Sequence, residues 1–172
     1  MIAFLVVFAV VLLFGLVVFR GAPYVPSHQR QVRRAFEHLY PLHKNDVLVD
    51  VGSGDGVVLR LASQRGARAI GYELNPLLVA VSACLSRRDP RVTVRLRDFW
   101  LTPLPPEVTV VYGFLVSRDT EKMRQKLQDE ANRLGKTLHY IAYGAPLERH
   151  RPIKKSGAHQ LYMFAPLHTD QA

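Results

Sequence analysis

The residues best suited to chemistry form one short run, Asp50-Val51-Gly52-Ser53-Gly54-Asp55-Gly56. Gly52 and Gly54 can take backbone angles closed to other residues, and their missing side chains let a ligand lie against the chain. Gly56 is expected to let the following helix pack close to the strand. The spacing is G-x-G-x-G, whereas a pyrophosphate-binding turn wants G-x-G-x-x-G at a helix N-terminus. No lysine of the phosphate-loop kind follows. Asp50 and Asp55 would repel a pyrophosphate and favour a ligand carrying an ammonium and a sulfonium. A glycine turn alone can also be purely structural.

Two further acids sharpen the reading. Glu73 lies 21 residues beyond Gly52, where an adenosine-binding α/β fold puts a carboxylate against the ribose hydroxyls. Alone it would read equally as a surface acid favoured by a helix dipole. Asp98, followed by Phe99 and Trp100, could accept a hydrogen bond from an adenine amino group, with either aromatic covering the ring or merely filling the core. Tyr112, Phe114 and Tyr143 end two later apolar runs. They would line an acceptor channel or pack in the core. The seven histidines form no ligand-spaced cluster, so no metal is assigned. No D/N-P-P-Y sequence is present, which argues against a site built to act on adenine amino groups.

These residues need elements to hold them. Val47–Val51 is a β-branched run of the buried parallel-strand kind. A helix over 57–64 ends at Arg65-Gly66. Strands are expected at 69–73, 92–96, 108–114, 137–143 and 159–164, and helices from Pro76 to about Arg87 and over 120–134, with Gly135 ending the latter. Residues 144–158 read as a basic loop. Upstream, Val32, Ala35, Phe36 and Leu39 keep the spacing of a core-facing helix that Ser27 could cap. Alternating strands and helices imply a mostly parallel sheet covered on both faces.

Ile2 to Phe19 is an unbroken apolar run closed by Arg20, at the short end of a membrane-spanning helix. A cleaved signal peptide would want a basic start and a small-x-small site, neither of which is present. We read residues 1–20 as an uncleaved anchor, 21–27 as a linker, and 28–172 as the domain. The net charge of +9, from 23 Lys+Arg against 14 Asp+Glu, falls wholly after Phe19. It suits anionic headgroups, with nucleic acid as the weaker partner. Arg20, Arg30, Arg33, Arg34 and Lys44 place the domain on the cytoplasmic side, or the matrix side in a mitochondrion. The single cysteine, Cys84, sits among Val79, Val81 and Leu85 and reads as a buried thiol.

Together DVGSGDG, GYELNP and RDFW resemble the class I S-adenosylmethionine-dependent methyltransferases. The similarity is greatest to the membrane-anchored protein-lysine methyltransferases, the group that includes the mitochondrial ATP-synthase c-subunit lysine N-methyltransferase. YVPS, starting at Tyr24, matches that group too, and the resemblance runs from Tyr24 to Trp100. It implies a Rossmann-like sheet, somewhat truncated at its C-terminus. It implies S-adenosyl-L-methionine contacts at Asp50, Gly52, Gly54, Glu73 and Asp98, joined by Ser53, Asp55, Gly56 and Phe99. Tyr24, Pro26 and Ser27 would fold over the cofactor. The acceptor would be a lysine of a membrane or membrane-associated protein, with Tyr112 and Tyr143 at its channel and no nucleic-acid partner. Tyr112–Val116 and Ala142–Pro146 depart from the group's pattern where the acceptor site should form. Methylation of a small molecule or lipid, or cofactor binding without turnover, are the alternatives.

Overall fold

The structure, a computed structural model, describes Met1 and residues 28–167. The expected anchor, and Tyr24, Pro26 and Ser27, lie outside the described residues. Among those described, no helix is long and apolar enough to cross a membrane.

Helix α1 (Gln29–Arg34) runs directly into a π-turn, Ala35–Leu39, closed by Tyr40 N–H on the Ala35 carbonyl at 3.0 Å. Val32, Ala35, Phe36 and Leu39 are all buried, as their spacing requires. There follow β1 (Val47–Val51), α2 (Val57–Ser63), β2 (Arg68–Glu73), α3 (Pro76–Ser86) and β3 (Val92–Leu96). The second half contains β4 (Val110–Leu115), α4 (Thr120–Leu134), β5 (Leu138–Gly144), β6 (Lys154–Ser156) and β7 (His159–Phe164). The expected 108–114 strand therefore starts two residues late, and β6 falls in the stretch read as loop. A tight turn opened by Gly157 (φ 58°) joins β6 to β7.

The sheet order is β3-β2-β1-β4-β5-β7-β6. β1 to β5 are parallel, and β7 enters antiparallel between β5 and β6. The order reverses between β1 and β4, which opens a crevice at their carboxyl ends. Each face has its own core. Val49, Tyr72, Val111 and Tyr140 pack beneath α4 through Met123, Leu127 and Ala131. Leu48, Ala69, Val110 and Ile141 pack beneath α1, the π-turn and α2. At the far end of the sheet, buried Asp46 accepts hydrogen bonds from the Tyr40 hydroxyl (2.9 Å) and the Thr109 hydroxyl (2.8 Å), tying three elements together.

Helix α3 corrects one expectation. Its sequence, PLLVAVSACLS, looks apolar all round, yet its buried face carries Ser82 and Ser86 and Cys84 is exposed. The reason is steric. A Cβ on Gly56 would come within 2.1 Å of the Ser82 hydroxyl oxygen, so only small residues fit on the inward side. Gly56 thus also admits α3.

Candidate functional site

The glycine turn sits on the carboxyl end of β1. Gly52 (φ 68°), Gly54 (φ 55°) and Gly56 (φ 80°) all take left-handed angles. The N–H groups of Gly52 and Ser53 bond the Tyr72 carbonyl at 2.9 and 3.1 Å, which fastens the turn to β2. A Cβ on Gly52 would meet nothing within 4 Å, so the space over this residue is open.

Glu73 holds the next layer. Its Oε2 accepts the Gly54 N–H at 2.9 Å, and its Oε1 accepts the N–H groups of Leu74 (2.9 Å) and Asn75 (2.8 Å). Three backbone donors fix a buried carboxylate at the sheet edge. The reading of Glu73 as a mere surface acid fails on this geometry. Asn75 caps α3, its Oδ1 accepting from Leu77 N–H at 2.9 Å and Leu78 N–H at 3.4 Å. Its Nδ2 is buried with no partner among the described residues, as is the Ser53 hydroxyl. Sequence reasoning missed Asn75; the Asn-Pro pair at a strand-to-helix junction was the signal for its cap.

Asp50 lies in β1 beside Gly71 of β2 and Tyr112 of β4. Burial pushes its carboxyl well above the usual range, and the charges of Glu73 and Asp55 push the same way. Asp55 is occupied locally: its Oδ1 takes the Val57 N–H at 3.2 Å, and its carboxylate pairs with Arg60. Asp98 is half-buried and its Oδ1 takes the Trp100 N–H at 2.8 Å, leaving Oδ2 to accept. Phe99 is 4% exposed and belongs to the core beneath α4, where Trp100 meets its ring edge-on. Of the two aromatics, half-buried Trp100 is the one with a face outside the core, and Lys122 Nζ sits 4.2 Å from its ring centre.

At the ends of β4 and β5 the structure gathers Tyr112, Phe114 and Tyr143, which the sequence singled out, with His159, which it did not reveal. The Tyr112 hydroxyl and His159 Nε2 are 2.9 Å apart. The Tyr143 ring stacks on His159 at 4.8 Å, and Phe114 lies 5.6 Å from Tyr143. Phe114, Tyr143 and His159 are register partners across three strands. Tyr112 and His159 are buried, while Phe114 and Tyr143 are half-buried. Tyr112 therefore lies deeper than Phe114 and Tyr143. Burial lowers the His159 imidazole to about 4, so it is neutral near pH 7. Neither residue spacing nor motif marks His159 in the sequence; the antiparallel entry of β7 brings it here.

The sequence profile of the ANTKMT methyltransferase domain matches residues 50–148. The chain belongs to the ANTKMT methyltransferase domain family. Among the relatives of this ANTKMT-family chain, the mouse ATP-synthase c-subunit lysine N-methyltransferase is 42% identical over 141 residues, covering 78% of this chain and 53% of that one. The mouse adenine nucleotide translocase lysine N-methyltransferase is 35% identical over 112 residues, covering 63% of this chain and 48% of that one. The ANTKMT-family chain spans about half the length of the curated relatives it matches. Its fold resembles an RNA methyltransferase from Salinibacter ruber solved with S-adenosyl-L-homocysteine. The TM-score is 0.72 at 28% identity, covering 83% of this chain and 94% of that one.

Proposed function

We propose that this ANTKMT-family chain is an S-adenosylmethionine-dependent protein-lysine N-methyltransferase. The observation that carries the cofactor reading is Glu73, held by three N–H donors beside the open backbone of Gly52. The residues present fit such a group. Glu73 would take the ribose hydroxyls, Asp98 the adenine amino group, and the Gly52–Gly54 backbone the amino-acid end. Asp50, buried among acids, gains from a nearby cation. The unpartnered Asn75 amide offers one more donor at the same edge. When bound, the cofactor supplies a methyl group activated by a sulfonium.

The chain's own task is then to present a neutral amine in line with that methyl. A lysine ammonium has a reference pKa of about 10.4. Moving its proton to His159, at about 4, would run roughly 9 kcal/mol uphill at about 1.36 kcal/mol per pK unit. His159 is therefore a weak proton acceptor, and its Nε2 already lies 2.9 Å from the Tyr112 hydroxyl. The aromatic wall of Phe114 and Tyr143 acts by desolvation, which disfavours the ammonium and lets the proton leave to water. The Tyr112–His159 pair holds that wall in place. The names of the two mouse relatives, both lysine N-methyltransferases, support a protein lysine as acceptor.

The anchor at 2–19 would hold the domain at a membrane, on its cytoplasmic or matrix side, where the substrate would be a membrane protein. Protease protection of the domain in sealed vesicles tests that orientation. The decisive assay is transfer of a radiolabelled methyl group into fractionated membranes, followed by mass spectrometry of the labelled band. Label on a lysine is expected, and Glu73→Gln should abolish it, because the new amide would set a donor against backbone donors. Label in lipid would overturn the lysine reading. Micromolar cofactor binding with no transfer would make the chain a binding module.

A further inference from the structure

Helix α3 presents to solvent an apolar stripe with nothing in the described chain upon it. Leu77, Ala80, Val81, Cys84 and Leu85 are exposed and recur at the three-and-four spacing of one helix face. Leu77, Val81 and Leu85 are 44%, 46% and 54% exposed, and Leu96 of the neighbouring edge strand adds 57%. Apolar patches of this kind on a soluble surface mark contact sites.

The stripe ends in cations. Arg87 and Arg88 follow directly, and an open groove of about 560 Å³ beside the helix end is lined by Arg60, Arg88 and Arg91, with Leu85 and Ser86. The Arg88 and Arg91 side chains have no acid partner among the described residues. Arg60 is already paired with Asp55. Asp89 is the one acid on the groove, and its Oδ1 is occupied by the Arg91 N–H at 3.0 Å. Ser86 is 6% exposed, and its hydroxyl has no partner among the described residues. An apolar helix face bordered by arginines is the pattern of an interfacial helix, with side chains among acyl groups and cations at headgroup level. Each basic residue brought near an anionic surface adds to the attraction.

We propose that α3 and its flanking groove dock the domain on an anionic bilayer. Leu77, Val81, Cys84 and Leu85 enter the interface, and the groove of Arg88, Arg91 and Ser86 receives lipid phosphates. This rests on the reading of residues 2–19 as a membrane anchor, which would hold the domain within reach of the surface. Because the cap of α3 is Asn75, two residues after Glu73, docking sets the cofactor edge at the membrane.

Cys84 makes the test direct, since it is the single cysteine and lies on the stripe. The full chain, nitroxide-labelled at Cys84, is reconstituted into vesicles of phosphatidylcholine with or without phosphatidylserine. Collision with oxygen, which concentrates in lipid, is compared with collision with a water-soluble nickel chelate. A Cys84→Ser, Asp129→Cys variant places the same label on α4, across the sheet. Docking gives an oxygen-to-nickel ratio several-fold higher at 84 than at 129 in the anionic vesicles. Arg88→Gln with Arg91→Gln should lose the dependence on phosphatidylserine, and Val81→Asp should lower the ratio at 84. Equal, water-like ratios at both sites in a chain that floats with vesicles would overturn the docking and spare the anchor. A chain that does not float at all would overturn both. Spin–spin broadening at Cys84 that fades on dilution would overturn the docking by assigning the face to a second copy. A ratio at 84 unmoved by phosphatidylserine, in a chain that instead binds free oligonucleotide through Arg88 and Arg91, would overturn it by assigning the groove to nucleic acid.

Discussion

Asp50 and His159 show how burial sets charge in this domain. Asp50 is pushed towards its neutral form by desolvation and then by Glu73 and Asp55, and a cation at the cofactor edge opposes all three. His159 is pushed the other way along the pH scale, from 6.5 to about 4, by burial alone. Between those values the unfolded chain binds a proton that the folded chain refuses, so stability rises with pH across the window. It is fully present above pH 6.5 and is lost as the pH falls towards 4. Urea titrations at several pH values should show this slope, and His159→Phe should flatten it relative to the parent chain. An unchanged slope would mean His159 is solvated in the native state. The acids of the cofactor edge were legible in the sequence because strand ends and glycine spacing fix them locally. His159 was not, because its partners Tyr112 and Tyr143 are brought to it by strand pairing over long separations. The same locality explains Phe99: its neighbour Asp98 marks a strand end, but only the packing of α4 decides which side its ring takes.

Among the elements, α4 matched its expected bounds of Thr120 and Leu134, down to Gly135 at its end with φ 61°. Its strong apolar stripe and its glycine stop are both local signals. It also carries a device the stripe does not show. Glu130 is buried and accepts the Leu104 N–H at 3.1 Å and Lys126 Nζ at 2.9 Å, with Arg133 bound to it as well. Burial raises its carboxyl, but the bonds from Lys126, Arg133 and Leu104 win and hold it below the usual range. Glu130→Ala leaves the Leu104 N–H without its acceptor, at about 1–3 kcal/mol. The urea midpoint should fall accordingly with the denaturant slope unchanged; a loss under about 0.5 kcal/mol, the size of a surface substitution, would show that water replaces the carboxylate. β6 escaped the sequence because Lys154-Lys155-Ser156 has no apolar alternation. The turn at Gly157 was its one signal, and pairing with β7 supplies the rest. α3 misled for the opposite reason: an apolar sequence does not say which of its sides is covered.

At the scale of the whole molecule, the seven strands form one sheet with a core on each face, and both cores draw on the same strands. Nothing in the strand order separates an independent unit, so the described body should unfold in one step. Trp100, the single tryptophan, sits at the cofactor edge. Its fluorescence and the far-ultraviolet dichroism should therefore change at the same urea concentration. Two separated transitions would show that the edge bearing α3 and β3 melts apart from β4, β5 and β7. The strand-helix alternation made this architecture readable in advance, and the position of β7 completes it. The basic excess, also visible in composition, becomes informative only when α3 and the residues after it gather part of it beside an apolar face.

Gly71 has a consequence for how such a chain can change by descent. It sits in mid-strand with ordinary backbone angles, yet a Cβ there would fall 2.4 Å from the Ser53 hydroxyl oxygen and 2.7 Å from Leu59 Cδ1. Positions 53, 59 and 71 share a single volume. Because Ser53 Cβ is also only 2.7 Å away, an alanine at 71 needs glycine at 53 and a shifted Leu59 side chain before it can be accommodated. The order in which such mutations can occur is thereby constrained, and the glycine motif, the helix after it and the strand beside it can change only together.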